Sequence, residues 1–295
     1  MKRLLILLFA ATPPLAAQAG LDTVQIRTTP LGKGVYMLQG SGGNIGLATG
    51  SDAAFLVDDQ YAQLSAKILA AVKAITDKPV RFLVNTHWHG DHTGGNENLA
   101  GAGVVIVAHD NVRARMSVDN FSAAFNRTTP ASPKAALPLI TFSETVAFHL
   151  NDEDIHVVHV QPAHTDGDAI IHFTRANVLH MGDVFFNGNY PFIDLSTGGS
   201  FEGVIGAVNA ALRYVNDSTK IIPGHGALAT RADLVNYRDV LSKIRDRVAA
   251  LIQQGKTKEQ VIAAKPSAEW DATWGTGFMK PDVFLGIVYD SMKKR

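Results

Sequence analysis

Two blocks of short apolar strands, each followed by segments with helical spacing, predict an α+β layered domain with two sheets inside and helices outside. Strand-like runs follow one another instead of alternating one for one with helices, which argues against a doubly wound parallel sheet. The chain is 46% hydrophobic and 18% charged, with 26 glycines. Such a composition buries a core and turns often, unlike that of a disordered or fibrous chain.

The elements follow in order. GVYMLQG (34–40), NIGLATG (44–50) and AAFLVDD (53–59) are apolar runs punctuated by Gly, Ser and Asp, as in consecutive antiparallel strands. Leu64, Ile68, Ala71, Val72 and Ile75 then recur at helical spacing across residues 61–76. Lys78-Pro79 closes that helix, and VRFLVNT (80–86) and GVVIVAHD (103–110) read as buried strands. Residues 111–140 break the pattern, helix-like at first and then rich in Ser, Thr and Pro. They are a candidate lid insertion, with a bland surface insertion as the alternative.

In the second half TVAFHL, DIHVVHVQ, DAIIHFTRA and NVLHMGDVFF read as strands. Val204, Val208, Ala211 and Val215 give residues 200–216 a helical period. KIIPGHG (220–226) is a strand plus a turn, and a long helix runs from about Ala232 to Gln254. Thr257 and Gln260 form a capping box, and Pro281 opens a last helix. Residues 256–295 are therefore expected to be a C-terminal helical extension, with Trp270, Trp274, Phe278 and Phe284 packed into the body.

Lys plus Arg equals Asp plus Glu at 27 each, so no basic face points to nucleic acid and no acidic tail to a charged partner. The expected partner is a small molecule. Residues 1–19 have basic Lys2 and Arg3, an apolar run from Leu4 to Ala11, and Ala17-Gln18-Ala19 as a small-x-small site. They read as a secretory signal peptide cut after Ala19, leaving a domain of residues 20–295 in the periplasm or secreted. The apolar run is short of the ~20 residues a membrane span needs, and no later run is long enough. The chain has no cysteine, hence no disulfide, lipidation site or thiolate ligand.

NTHWHGDHTGG (85–95) places His87, His89, Asp91 and His92 within six positions at a strand end. His87, His89 and Asp91 share one phase if the backbone stays extended, and His92 needs the turn that Gly90, Gly94 and Gly95 permit. Neutral imidazoles and a carboxylate suit zinc. Further donors stand at similar addresses, each after a buried strand and before a turn: His164 in AHTDGD, Asp183 in MGD and His225 in PGHG. His109 also ends a strand, in undistinguished company. His149, His156, His159, His172 and His180 lie inside strands and read as ordinary histidines.

H-x-H-x-D-H at 87–92, followed in order by His164, Asp183 and His225, resembles the metallo-β-lactamase superfamily from about residue 30 to 250. The resemblance implies a four-layer αββα sandwich with two zinc ions per chain at the sheet edges. It implies that His87, His89 and His164 hold one ion, that Asp91, His92 and His225 hold the other, and that Asp183 bridges or supports them. Two cations sharing one water bring its pKa from about 15.7 to ~7, so hydroxide is available to attack a polarised carbonyl. Asp91 would orient that nucleophile. FFNGNYPFID (185–194) resembles the substrate-contacting loop of secreted lactamases, with Asn189, or Asn187, as an oxyanion donor.

These features lead to a periplasmic dizinc hydrolase that opens a cyclic amide or ester in the manner of a β-lactamase. Asp183 stands where many lactamases carry cysteine, and Phe186 where they carry a lysine that pairs with the drug's carboxylate. The alternative is therefore a lactonase or glyoxalase-type thioesterase. An iron-dependent redox member of the fold has less support, and so has a non-enzymatic zinc site, which favours cysteine.

Overall fold

A computed structural model of the protein describes residues 20–293. The expected signal peptide lies outside the described residues. The first sheet has seven strands: β1 (Arg27–Gly32), β2 (Val35–Gln39), β3 (Ile45–Ala48), β4 (Ala54–Val57), β5 (Val80–Val84), β6 (Val105–His109) and β9 (Ile140–Phe142), in that spatial order. β1 to β4 pair antiparallel, as the turn residues between them predict. From β4 onward the pairing is parallel. The helix α1 (Ser65–Lys73) makes the crossover from β4 to β5, so this sheet is mixed. β1 escaped the sequence reading because RTTPLG carries a proline and little apolar patterning.

The second sheet orders β10 (Thr145–Leu150), β11 (Glu153–His159), β12 (Ala169–Phe173), β13 (Val178–His180) and β14 (Lys220–Ile222). β10 to β13 are antiparallel and β13 to β14 parallel. Period-two alternation sends each strand's residues to two different cores. Met37, Phe55, Val57 and Val84 meet Ile155, Val157, Ile171 and Phe173 between the sheets. Leu38, Leu56 and Leu83 face outward onto Ile68 and Val72 of α1. Ile170, Leu179 and Ile221 face the other way, onto Phe201, Val204 and Leu241. Helix, sheet, sheet, helix is the resulting order, and both faces of the central strands are covered. That is why they read as continuous apolar runs.

Short helices α2 (Gly90–Thr93), α3 (Asn96–Gly101) and α4 (Asp110–Met116) follow β5 and β6. Residues 111–140 also hold a hairpin, β7 (Asn120–Ser122) and β8 (Arg127–Thr129), outside both sheets. The outer layer of the second sheet is α5 (Phe201–Ala211), α6 (Arg231–Gln253), α7 (Lys258–Ala263), α8 (Ala268–Trp274) and α9 (Pro281–Lys293). Thr230 and Asp233 cap α6 reciprocally, and Thr257 and Gln260 do the same for α7. Among the described residues no helix is long and apolar enough to cross a membrane.

The C-terminal aromatics divide. Phe284 is fully buried, stacked on Tyr190 at 4.5 Å and edge-on to Phe201 at 5.9 Å, and Trp274 packs on Tyr237. Phe278, expected in the core, is instead 72% exposed, because the loop between α8 and α9 lifts it over a cleft. Phe284→Ala is expected to destabilise the fold by about 3 kcal/mol through lost burial and the cavity left behind. A lowered urea midpoint measures it, and an unchanged midpoint would mean that the last helix is not integral to the core.

Candidate metal centre

Topology brings the predicted donors to one edge. β11, β13 and β14 run in the same direction, so the segments beyond their C-terminal ends, bearing His164, Asp183 and His225, emerge together. Residues 87–92 follow the end of β5 in the facing sheet. The backbone does not stay extended there: α2 begins at Gly90, with His89 as its extended N-cap, so Asp91 and His92 sit on a helical turn. The expected strand phase for Asp91 is thus replaced by a turn that points both residues inward.

All seven side chains converge. Three overlapping sets hold one donor atom each within 4.8 Å of one another: His87, His89 and His164; His87, His92 and Asp183; Asp91, His92 and His225. Asp183 divides its oxygens between the two ends. Oδ2 lies 3.5 Å from His164 Nε2 and 3.9 Å from His87 Nε2. Oδ1 lies 3.1 Å from His92 Nε2 and 3.4 Å from His225 Nε2. Asp91 Oδ2 is 3.2 Å from His225 Nε2 and 3.6 Å from His92 Nε2.

The chemistry of this set fits metal ions. Donors held 2.0–2.1 Å from a tetrahedral zinc stand about 3.3 Å apart, in the middle of the separations seen here. His87 Nε2 and Asp183 Oδ1 are buried without a hydrogen-bond partner among the described residues, a costly arrangement unless a cation satisfies them.

The far nitrogens explain why the near ones converge. His92 Nδ1 donates to Asp58 Oδ2 at 2.7 Å. Thr86 Oγ1 also donates to Asp58 Oδ2, at 2.8 Å, so it accepts from His87 Nδ1 at 3.0 Å. His164 Nδ1 donates to the Phe192 carbonyl at 2.7 Å, and His89 Nε2 to Asp194 Oδ2 at 3.2 Å. Each bond fixes a tautomer and aims the other nitrogen's lone pair into the centre.

Charge is distributed to match. Burial would raise the Asp183 carboxyl, but His225 and His92 hold it well below the usual range. Burial opposes the ionised form of Asp91 too, and the same histidines bring it down to about 2. Burial, aided by the charge of His92, keeps His87 well below its ordinary value, and burial against the pull of Asp183 leaves His164 at about 4. Burial is also the largest single influence on His92 and His225, depressing both, but Asp183 and Asp91 together, joined at His92 by Asp58, outweigh it, leaving His92 well above the ordinary value and His225 at about 9.

Asp58 and Asp194 went unread in the sequence. Asp58 follows β4 directly in AAFLVDD, the same address past a strand end as the donors, and that was its available signal. Its φ of +62° bends the chain so that the carboxylate turns beneath His92. Of the glycines expected at the turn, Gly90 has open space for a Cβ, whereas one on Gly94 would lie 2.6 Å from the Gly90 carbonyl oxygen and one on Gly95 2.8 Å from the Asp59 carboxyl carbon. A Cβ on Gly224, beside His225, would lie 2.0 Å from Asp183 Oδ1, and one on Gly43, which had no sequence signal, 2.0 Å from His92 Cε1. His109, the ambiguous case, caps α4 by accepting from Asn111 N and stacks on His159 at 3.7 Å, away from the centre.

A cleft of about 790 Å³ opens above, with His89, Asp91, Asp183 and His225 in its floor. Phe186 stacks on His225 at 5.2 Å, and Phe192 on His89 at 5.8 Å. Phe185 is core. Asn189 lines the cleft and spends one amide hydrogen on the Asn187 carbonyl at 3.1 Å, while Asn187 turns to the Ala227 carbonyl.

A family model described as the metallo-beta-lactamase superfamily matches residues 38–226, more than half the chain and the span that contains all seven donors. The chain belongs to the metallo-beta-lactamase superfamily. Its relatives include an acyl-coenzyme A thioesterase of Homo sapiens, 26% identical over 66% of this chain and 79% of that protein. A hydroxyacylglutathione hydrolase of Haemophilus influenzae is 27% identical over 52% of this chain and 72% of that protein. Among solved structures, a metallo-beta-lactamase from Pontibacter korlensis superposes with a TM-score of 0.61 at 18% identity, covering 74% of this chain and 99% of that one. It shows the shared αββα fold. The relatives are hydrolases, and hydrolysis is the activity class of this superfamily member.

Asp58→Asn keeps a residue that tolerates positive φ but turns an acceptor-only group into one that also presents N–H donors to His92 and Thr86. Zinc affinity, measured by competition with a chromogenic chelator, is expected to fall 10–100-fold with the fold retained. Wild-type affinity in this variant would show that Asp58 does not set the His92 tautomer.

Proposed function

We propose that the protein is a dinuclear zinc hydrolase that cleaves a carboxylic ester-type bond, a thioester or lactone ahead of a β-lactam. One observation carries the reading: a set of inward-facing N/O donors, split into two groups by Asp183, forms the floor of an aromatic-walled cleft. His87, His89 and His164 would hold one ion, Asp91, His92 and His225 the other, with Asp183 between them. Bound there, the ions would supply Lewis acidity, polarising a carbonyl and acidifying a water at neutral pH.

The chain's own groups do the rest. Asp91 is ionised and a quarter exposed to the cleft, so its carboxylate can accept a hydrogen bond from the attacking water and orient it. Asn189 retains a second amide N–H, suited to a developing oxyanion. Asp58, Thr86, Asp194 and the Phe192 carbonyl hold the imidazoles still, so little reorganisation accompanies reaction.

The β-lactam reading, first from the sequence, ranks second because of Phe186. A charged side chain there would pair with a drug carboxylate, a contact worth ~1.5–3 kcal/mol. Phe186 instead covers His225 with its ring face. The acyl-coenzyme A thioesterase among the relatives supports the ester-type reading.

Purified protein is expected to carry about two zinc equivalents. Asp91→Asn and His225→Ala are each expected to lower kcat/KM by roughly 100-fold or more without changing the circular dichroism spectrum. A panel of acyl thioesters, lactones and a chromogenic cephalosporin ranks the substrates. Full turnover in both variants, or stoichiometric iron with oxygen-dependent turnover, would overturn the proposal.

The same reading places the mature protein in the periplasm or outside the cell, on the leader-like residues 1–19 alone. N-terminal sequencing of protein recovered from that compartment is expected to start at Gly20. A cytoplasmic chain starting at Met1 would refute the location.

A further inference from the structure

The mouth of the cleft is built from parts of the chain remote from the metal ligands. Phe125 sits at the turn of the β7–β8 hairpin and is 44% exposed. Phe278 comes from the loop between α8 and α9, more than 150 residues later, and is 72% exposed. Their rings meet 5.6 Å apart. Phe125 also lies 4.9 Å from Phe192, whose ring is 5.8 Å from His89 and 5.7 Å from His164. An unbroken run of aromatic faces thus leads from solvent to the His89–His164 end of the centre.

Single exposed aromatics are ordinary. Two that reach each other from unrelated segments, over the cleft whose floor holds the donors, are not explained by core packing. They leave apolar surface in water that an apolar ligand would cover. Arg127, two residues from Phe125 on the same hairpin, also lines the cleft; among the described lining residues it is the one lysine or arginine, and its charge reaches the Tyr61 phenol. The mouth therefore offers apolar rings and one cation above the same floor.

We infer that Phe125 and Phe278 are specificity-determining residues that clamp an apolar acyl chain of the substrate. The chain lies along Phe192, which sets its carbonyl over the donors, and the polar end of the substrate turns toward Arg127. The inference names the substrate class of the hydrolase proposed above and rests on it only for the identity of the floor. Continuity of the ring run with the donor set selects the substrate's own chain as occupant over a second copy of the protein.

The test reads binding, apart from turnover. Zinc-loaded mature protein is titrated with acetate, hexanoate and decanoate by calorimetry and by fluorescence, with Trp88 in the cleft as reporter. Affinity is expected to rise with chain length, by up to about tenfold for each two methylenes covered. Phe125→Ala and Phe278→Ala should each weaken decanoate binding threefold or more while leaving acetate binding and thermal stability in place, and the double variant should lose the chain-length dependence. An undiminished dependence in the double variant would overturn the inference. So would a wild-type dimer that the double variant dissociates, with no chain-length dependence in either. Turnover of a medium-chain acyl thioester by the wild type is assayed separately. Chain-dependent binding without turnover of that thioester or of a lactone of the same chain length would sink the proposed ester-type cleavage and leave the clamp standing, whereas turnover without chain dependence would do the reverse.

Discussion

The hydrogen bonds on the far side of the imidazoles are what the rest of the site depends on. A histidine placed near its partners still presents either a lone pair or an N–H, and only the lone pair ligates. Asp58 settles this directly for His92 and, through the Thr86 hydroxyl, for His87. The Phe192 carbonyl and Asp194 settle it for His164 and His89. These acceptors come from the ends of β4 and β5 in the first sheet and from the loop after β13, and of the four bonds the one between His89 and Asp194 ties the two halves together. The fold accepts local strain to place them: Asp58 and Gln60 both have positive φ, and both are wholly buried.

That arrangement carries a cost which explains its surroundings. Buried polar atoms lacking partners cost about 1–3 kcal/mol each, and His87 Nε2 and Asp183 Oδ1 are two such atoms. Apolar cores on both faces of both sheets hold the edge rigid enough to bear this. The glycines at 43 and 224 are where the walls come closest, since any side chain there would overlap His92 or Asp183. The cleft above is separable from the centre. Its aromatic rim comes from a hairpin outside both sheets and from a C-terminal loop, segments free to vary without disturbing the ligand frame.

Much of this was legible in the residues. Consecutive apolar runs broken by Gly and Asp marked β2 to β4 and the second sheet's strands, because period-two burial on two covered faces leaves a continuous apolar signature. Capping boxes at Thr257 and Pro281 at a helix start are local chemistry and were read at their positions. β1 was missed because a proline-containing strand at the sheet edge has no such pattern. The seven donors stood out by spacing and by their place after strands. Asp58 had the same address yet went unread, since nothing in AAFLVDD says that an imidazole will lie above it.

The sequence by itself determined the layered architecture, the donor set and the family, because strand periodicity, turn chemistry and short motifs are local properties of neighbouring residues. Tertiary structure alone decided which nitrogen of each histidine faces the centre, how Asp183 divides its oxygens, and which aromatics are core and which rim. Phe278 and Phe284 are six residues apart and alike in composition, yet one lies at the cleft mouth and the other under Tyr190. Long-range contacts made that difference: such pairings are fixed when distant segments dock, and the chain carries no local record of them.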